Sequence, residues 1–110
     1  MTNTAIYAAS KAAMNSFTRT AATELAPHGI RVNAVNPGPI STPIFGKTGM
    51  SEEQLNGMAG AMQERIPLKR FGEPSDVANL VSFLASDEAA FITGGEYNVD
   101  GGMNVNPLLG

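Results

Sequence analysis

The chain has 110 residues, enough for one small domain and too few for two. An apolar content of 43% argues against global disorder; seven basic against ten acidic groups, net −3 and without a Lys/Arg cluster, argue against a nucleic-acid-binding polyelectrolyte. There is no cysteine, hence no disulfide scaffold or thiolate metal site, and no apolar run approaches the roughly 18 residues of a membrane span. The opening Met-Thr-Asn-Thr does not read as a signal peptide, so the expectation is a cytoplasmic protein that engages neither nucleic acid nor membrane.

The first predicted element is a helix over Tyr7–Leu25. Ala9, Ala13, Phe17, Ala21 and Leu25 recur every four residues with Met14 and Ala22 beside them, Thr4 is the expected N-cap, and Pro27-His28-Gly29 is a stop signal. Ile30–Asn36 alternates as a strand, with Ile30, Val32 and Ala34 on one side and Arg31, Asn33 and Val35 on the other. Pro37-Gly38-Pro39 ends it, and a loop runs to about Met50. A second helix starts at Ser51, which has capping-box spacing to Gln54. Its apolar stripe is Leu55, Met58, Ala59, Met62 and Ile66; Gly57 and Gly60 each weaken it by about 0.8–1 kcal/mol relative to alanine, so it reads as a lid. For Met50, Met58 and Met62 two roles fit equally: lining an adaptable apolar pocket, or packing the lid down. A third helix begins at Pro74, ends near Ser86 and buries Val77, Leu80, Val81 and Leu84. After Gly94-Gly95, Glu96–Val99 is a short strand with Tyr97 and Val99 on one face, and Asp100 shapes the Gly101-Gly102 turn. The lone His28 beside a helix stop makes no metal site.

Strand, helix and strand in this order imply a parallel α/β crossover. Two parallel strands make a poor sheet alone, so the pattern is one end of a larger doubly wound domain. One pair on the first helix has chemical use. Tyr7 and Lys11 are four apart and share a face. A free phenol titrates near pH 10, and an adjacent ammonium favours its phenolate, so Tyr7 would exchange a proton with a carbonyl or alcohol oxygen. An ordinary surface pair fits the spacing as well.

The wider context bears on that choice. Tyr7-Ala8-Ala9-Ser10-Lys11-Ala12-Ala13 resembles the active-site helix of the short-chain dehydrogenase/reductase family. Gly29-Ile30-Arg31-Val32-Asn33-Ala34-Val35-Asn36-Pro37-Gly38 resembles the strand that follows it there; Phe91-Ile92-Thr93-Gly94-Gly95 and Val99-Asp100-Gly101-Gly102 resemble the family's C-terminal signature. The resemblance covers nearly the whole chain in order and spacing. It implies the C-terminal part of a Rossmann-like doubly wound parallel sheet, a single partial domain of about three helices and two strands, with residues 39–68 as substrate loop and lid. It also implies NAD or NADP as cofactor, with an alcohol or ketone as small-molecule substrate. Tyr7 would be the general acid/base. Lys11 would lower its pKa and bind the nicotinamide ribose. The Pro37-Gly38 turn would pass beneath the nicotinamide, where a side chain would be in the way. The backbone of Ile40 would meet the carboxamide, and the Thr42 hydroxyl would sit near the carboxamide or the pyrophosphate.

Several family features have no counterpart in these residues. No glycine-rich loop opens a helix, the family's catalytic serine would lie before Met1, and Ser10 and Ser16 on the helix cannot take its place. The expectation is therefore a C-terminal fragment lacking the dinucleotide-binding half; an alternative is a non-catalytic association module. Either way the alanine-rich helix and the open strand edge lead us to expect a homo-oligomer.

Overall fold

The computed structural model describes residues 2–41, 49 and 51–103, with backbone alone at 2–4. Helix α1 spans Thr2–Leu25, strand β1 Ala34–Pro37, helix α2 Glu52–Arg65, helix α3 Pro74–Ala85 and strand β2 Glu96–Val99. The strands pair in an open two-stranded sheet, and the ladder is parallel: Ala34 N–H donates to Gly95 O at 2.9 Å and Gly38 N–H to Val99 O at 2.8 Å. The class is α/β, as expected. Contacts group the chain into two compact units, Met1–Val35 with Ser82–Tyr97, and Asn36–Val81 with Asn98–Gly110.

In the first unit α1 begins at Thr2, five residues before the predicted start, so Thr4 is inside the helix and is not its N-cap. With neither glycine nor proline between Thr2 and Leu25, nothing in the sequence stops the helix from extending backwards. At the other end a short 3-10 turn, Ala26–His28, carries Pro27 at its second position, and Gly29, at φ 74°, closes it with its N–H on Ala26 O at 2.9 Å. The face of α1 turned inward follows the predicted one only in its C-terminal part, through Ala21, Ala22 and Leu25. Thr18 and Ala22 are buried and Lys11, Asn15 and Leu25 half-buried, whereas Phe17 is 67% exposed and Met14 also lies open. Thr18 fits inside because its hydroxyl donates to Met14 O at 2.9 Å.

The predicted strand from Ile30 starts only at Ala34. The reason lies in what residues 31–33 bond to. Val32 N–H donates to the Thr93 hydroxyl at 3.0 Å, and Asn33 bridges the Ile92 carbonyl and the Gly95 N–H, each at 3.0 Å. Side chains therefore take positions that ladder bonds would otherwise hold. Arg31 reaches the end of α3, donating to Leu84 O at 2.7 Å and Ser86 O at 3.2 Å, where unpaired carbonyls carry the negative end of the helix dipole. Arg31→Met keeps the stem and removes these bonds. We expect it to lower unfolding stability by about 1.5–3 kcal/mol, the scale of a charge-assisted hydrogen bond, in a urea titration.

In the second unit α2 starts as predicted. Ser51 Oγ accepts from Gln54 N–H at 3.1 Å, while the Gln54 side chain accepts from Ser51 N–H at 3.0 Å, a complete capping box. The helix is thinly anchored: Met58 is exposed and Leu55, Ala59 and Met62 only half-buried, while Met50 lies outside the described residues. Its anchor is the residue after it, Ile66, 1% exposed and packed on Gly101. Leu68 N–H then donates to Gly101 O at 3.1 Å. Helix α3 starts at Pro74 as expected, with Val77 and Leu80 half-buried and Leu84 buried. Val81 departs from the predicted stripe at 48% exposed. Among the described residues no helix is long and apolar enough to cross a membrane.

Candidate active site

Tyr7 and Lys11 lie in the first unit, one turn apart on α1. Tyr7 is 64% exposed and Lys11 half-buried. Among the described residues no ion pair engages the Lys11 ammonium. One hydroxyl and one ammonium on a shared face are a donor set suited to an alcohol or carbonyl oxygen and a ribose hydroxyl.

The remaining described candidates lie in the second unit. Pro37 is exposed and ends β1. Gly38 has to be glycine for a reason internal to the protein: a Cβ there would stand 2.6 Å from the Asp100 Cβ and 2.7 Å from its Cα. Asp100, buried at the end of β2, itself builds the predicted turn, accepting from Gly102 N–H at 2.9 Å. The glycine that the sequence associates with a nicotinamide face is therefore already required by backbone packing.

Ile40 forms an isolated parallel bridge with Gly72: Gly72 N–H donates to Pro39 O at 2.9 Å, and Ser41 N–H to Gly72 O at 2.8 Å. In such a bridge the flanking residues supply the bonds, so the N–H and C=O of Ile40 itself point to the opposite edge. That leaves Ile40 with a donor and an acceptor side by side, the pattern a carboxamide matches. Thr42 lies outside the described residues.

Sequence reasoning did not single out Gly72, Arg70 or Asp76. A Cβ on Gly72 would meet Ile40 Cδ1 at 2.8 Å. Asp76 Oδ2 accepts from Glu73 N–H at 2.8 Å and from Arg70 Nη1 at 3.1 Å. The Glu73 N–H bond first, and the Arg70 guanidinium second, hold this carboxyl below its ordinary pKa. The available signal was an acid at the third position of a helix opened by proline, the reverse half of a capping box.

No described helix opens on a glycine-rich loop that would cradle a pyrophosphate.

An α/β sheet fragment with an exposed Tyr-x-x-x-Lys helix points to a dehydrogenase class, and comparison with known proteins agrees. Residues 1–104 match a family model described as enoyl-(acyl carrier protein) reductase. The chain belongs to the short-chain dehydrogenase/reductase family. It is 50% identical over 97 residues to the 3-oxoacyl-(acyl-carrier-protein) reductase FabG of Staphylococcus epidermidis, covering 88% of this chain and 37% of that protein. It is 44% identical over 103 residues to the L-xylulose reductase of Bos taurus, covering 94% and 41%. A crystal structure of a short chain dehydrogenase family protein from Francisella tularensis superposes with a TM-score of 0.77 at 33% identity, covering 91% of this chain and 43% of that one. The fold is thus a Rossmann-like fragment, and the chain spans about two fifths of the length of these relatives.

Proposed function

We propose that these residues are the C-terminal, single-domain part of a cytoplasmic NAD- or NADP-dependent oxidoreductase that interconverts a secondary alcohol and a ketone. The observation that carries this reading is the open Tyr7 phenol with Lys11 one turn away on the same helix, in a chain of this family. When bound, the dinucleotide supplies or accepts the hydride. Tyr7 gives its proton to the carbonyl oxygen as negative charge develops there, and takes a proton back from the alcohol in the other direction. The Lys11 ammonium would hold a ribose hydroxyl beside the tyrosine. By the family resemblance, the Ile40 backbone would hold the carboxamide, the Pro37-Gly38 turn would leave room for the nicotinamide, and the Thr42 hydroxyl would bind the carboxamide or the pyrophosphate. The ketone reading is supported by the Tyr-x-x-x-Lys spacing and by relatives named for 3-oxoacyl and xylulose reduction.

The test is a chimera in which this chain replaces the matching segment of the S. epidermidis reductase. NAD(P)H oxidation with a panel of ketones is the expected result; a folded chimera that binds the dinucleotide yet reduces none of them overturns the reading. The 110-residue chain alone is expected to bind NAD or NADP no more tightly than about millimolar, since it has no glycine-rich cradle for the pyrophosphate. A micromolar dissociation constant by titration calorimetry would contradict this.

A second reading, an association module, is favoured by the apolar side of α1. Ile6, Met14 and Phe17 are all exposed on it. We expect light scattering after size exclusion to find a homo-oligomer at micromolar concentration. A monodisperse monomer with a cooperative thermal transition would show that this surface needs no cover.

A further inference from the structure

The structure assigns to Asp76 the role of a positioning residue: through Gly72, its carboxylate fixes the backbone of Ile40. The observations form one connected chain within the second unit. Asp76 Oδ2 takes hydrogen bonds from both sides of Gly72, from Arg70 Nη1 at 3.1 Å and from Glu73 N–H at 2.8 Å. Arg70 Nη1 also donates to Phe71 O at 3.1 Å, so residues 70–73 are gathered around a single carboxylate. Gly72, at the centre of this loop, exchanges its two backbone bonds with Pro39 and Ser41. No space separates the parts. A Cβ on Gly72 would lie 2.8 Å from Ile40 Cδ1 and 3.6 Å from Asp76 Oδ2, which places Gly72 between the Ile40 side chain and the carboxylate.

The physical consequence is leverage. Residues 39–41 belong to no helix or strand, and a single two-bond bridge gives little rigidity. The orientation of Ile40 N–H and C=O is therefore only as well fixed as the loop on which it leans. A carboxylate at the start of α3 favours the positive end of the helix and ties the loop to a rigid element. The value of this for a carboxamide ligand rests on the role proposed above for Ile40; the local device does not depend on it.

The experiment therefore contains no cofactor. Backbone amide exchange is followed by NMR in the 110-residue chain and in Asp76→Ala and Asp76→Asn, with the Thr18 and Ala22 amides of α1 as internal reference. In Asp76→Ala the Ser41 and Gly72 amides should exchange about tenfold faster or more, the scale of losing a charge-assisted hydrogen bond, with the α1 amides unchanged. Asp76→Asn retains an acceptor for Glu73 N–H and loses the charge that faces Arg70, so an intermediate rate is expected. A plain capping role would accelerate only the first turn of α3, and an unchanged Ser41 amide overturns the inference. If Asp76→Ala accelerates the α1 amides equally, the asparagine variant decides. Faster Ser41 exchange with α1 unchanged supports the assignment; an unchanged Ser41, or α1 accelerated as well, overturns it.

Discussion

Tyr7→Phe in the chimera is expected to lower turnover by about 10²–10⁴-fold, the usual contribution of a positioned acid/base, and to leave dinucleotide affinity where it was. The reasoning is atomic. The substitution removes one hydroxyl from a residue that is 64% exposed, so little packing is lost with it. Lys11→Met should behave differently. It removes the proposed ribose contact as well as the charge beside Tyr7, so both turnover and affinity should fall. Steady-state kinetics and a cofactor titration separate the two profiles. Equal loss of affinity in both variants would contradict this division of roles, and a Tyr7→Phe enzyme that keeps most of its activity would remove Tyr7 from the reaction.

Gly38→Ala is expected to destabilise the isolated chain by roughly 1–3 kcal/mol, the cost of forcing a methyl group into a packed site. The obstacle is backbone: Asp100 Cα would lie 2.7 Å from the new Cβ, and a main-chain atom cannot turn aside as the end of a side chain can. Relief requires the two strand ends to separate, which strains the Gly38 N–H bond to Val99 O. Urea unfolding of the chain without dinucleotide measures this directly. The resemblance alone predicts a different outcome, a glycine needed only where a nicotinamide would lie. An unchanged midpoint in the chain, with lost cofactor affinity in the chimera, would favour that account over packing against Asp100.

Much of the architecture was legible in the sequence. The start of α2 follows from Ser51 and Gln54, the start of α3 from Pro74, β2 and its half-buried Tyr97 and Val99 from simple alternation, and the turn after it from Asp100. These are local signals, in which a cap or a turn is satisfied by residues a few positions away. The Tyr7–Lys11 pair was equally legible, because helical spacing alone places the two on one face.

Tertiary structure decided what depends on residues far apart in the chain. Periodicity gave α1 an apolar stripe through Phe17, yet the helix leaves Phe17 exposed and turns Thr18 inward beside Ala22. An alanine-rich helix has weakly distinguished faces, so its neighbours settle the choice, and Ala22 lies 3.5 Å from where a Cβ on Gly94 would be. The strand shortened to Ala34–Pro37 because Thr93 and Asn33, sixty positions apart, supply bonds with their side chains. The need for glycine at position 38 arises the same way, from the Asp100 backbone closing on it across the fold. Sequence spacing determined which residues share an element and which could carry chemistry. Only folding determined which backbone atoms come within van der Waals reach, because such contacts depend on chain closure over tens of residues, which no local pattern encodes.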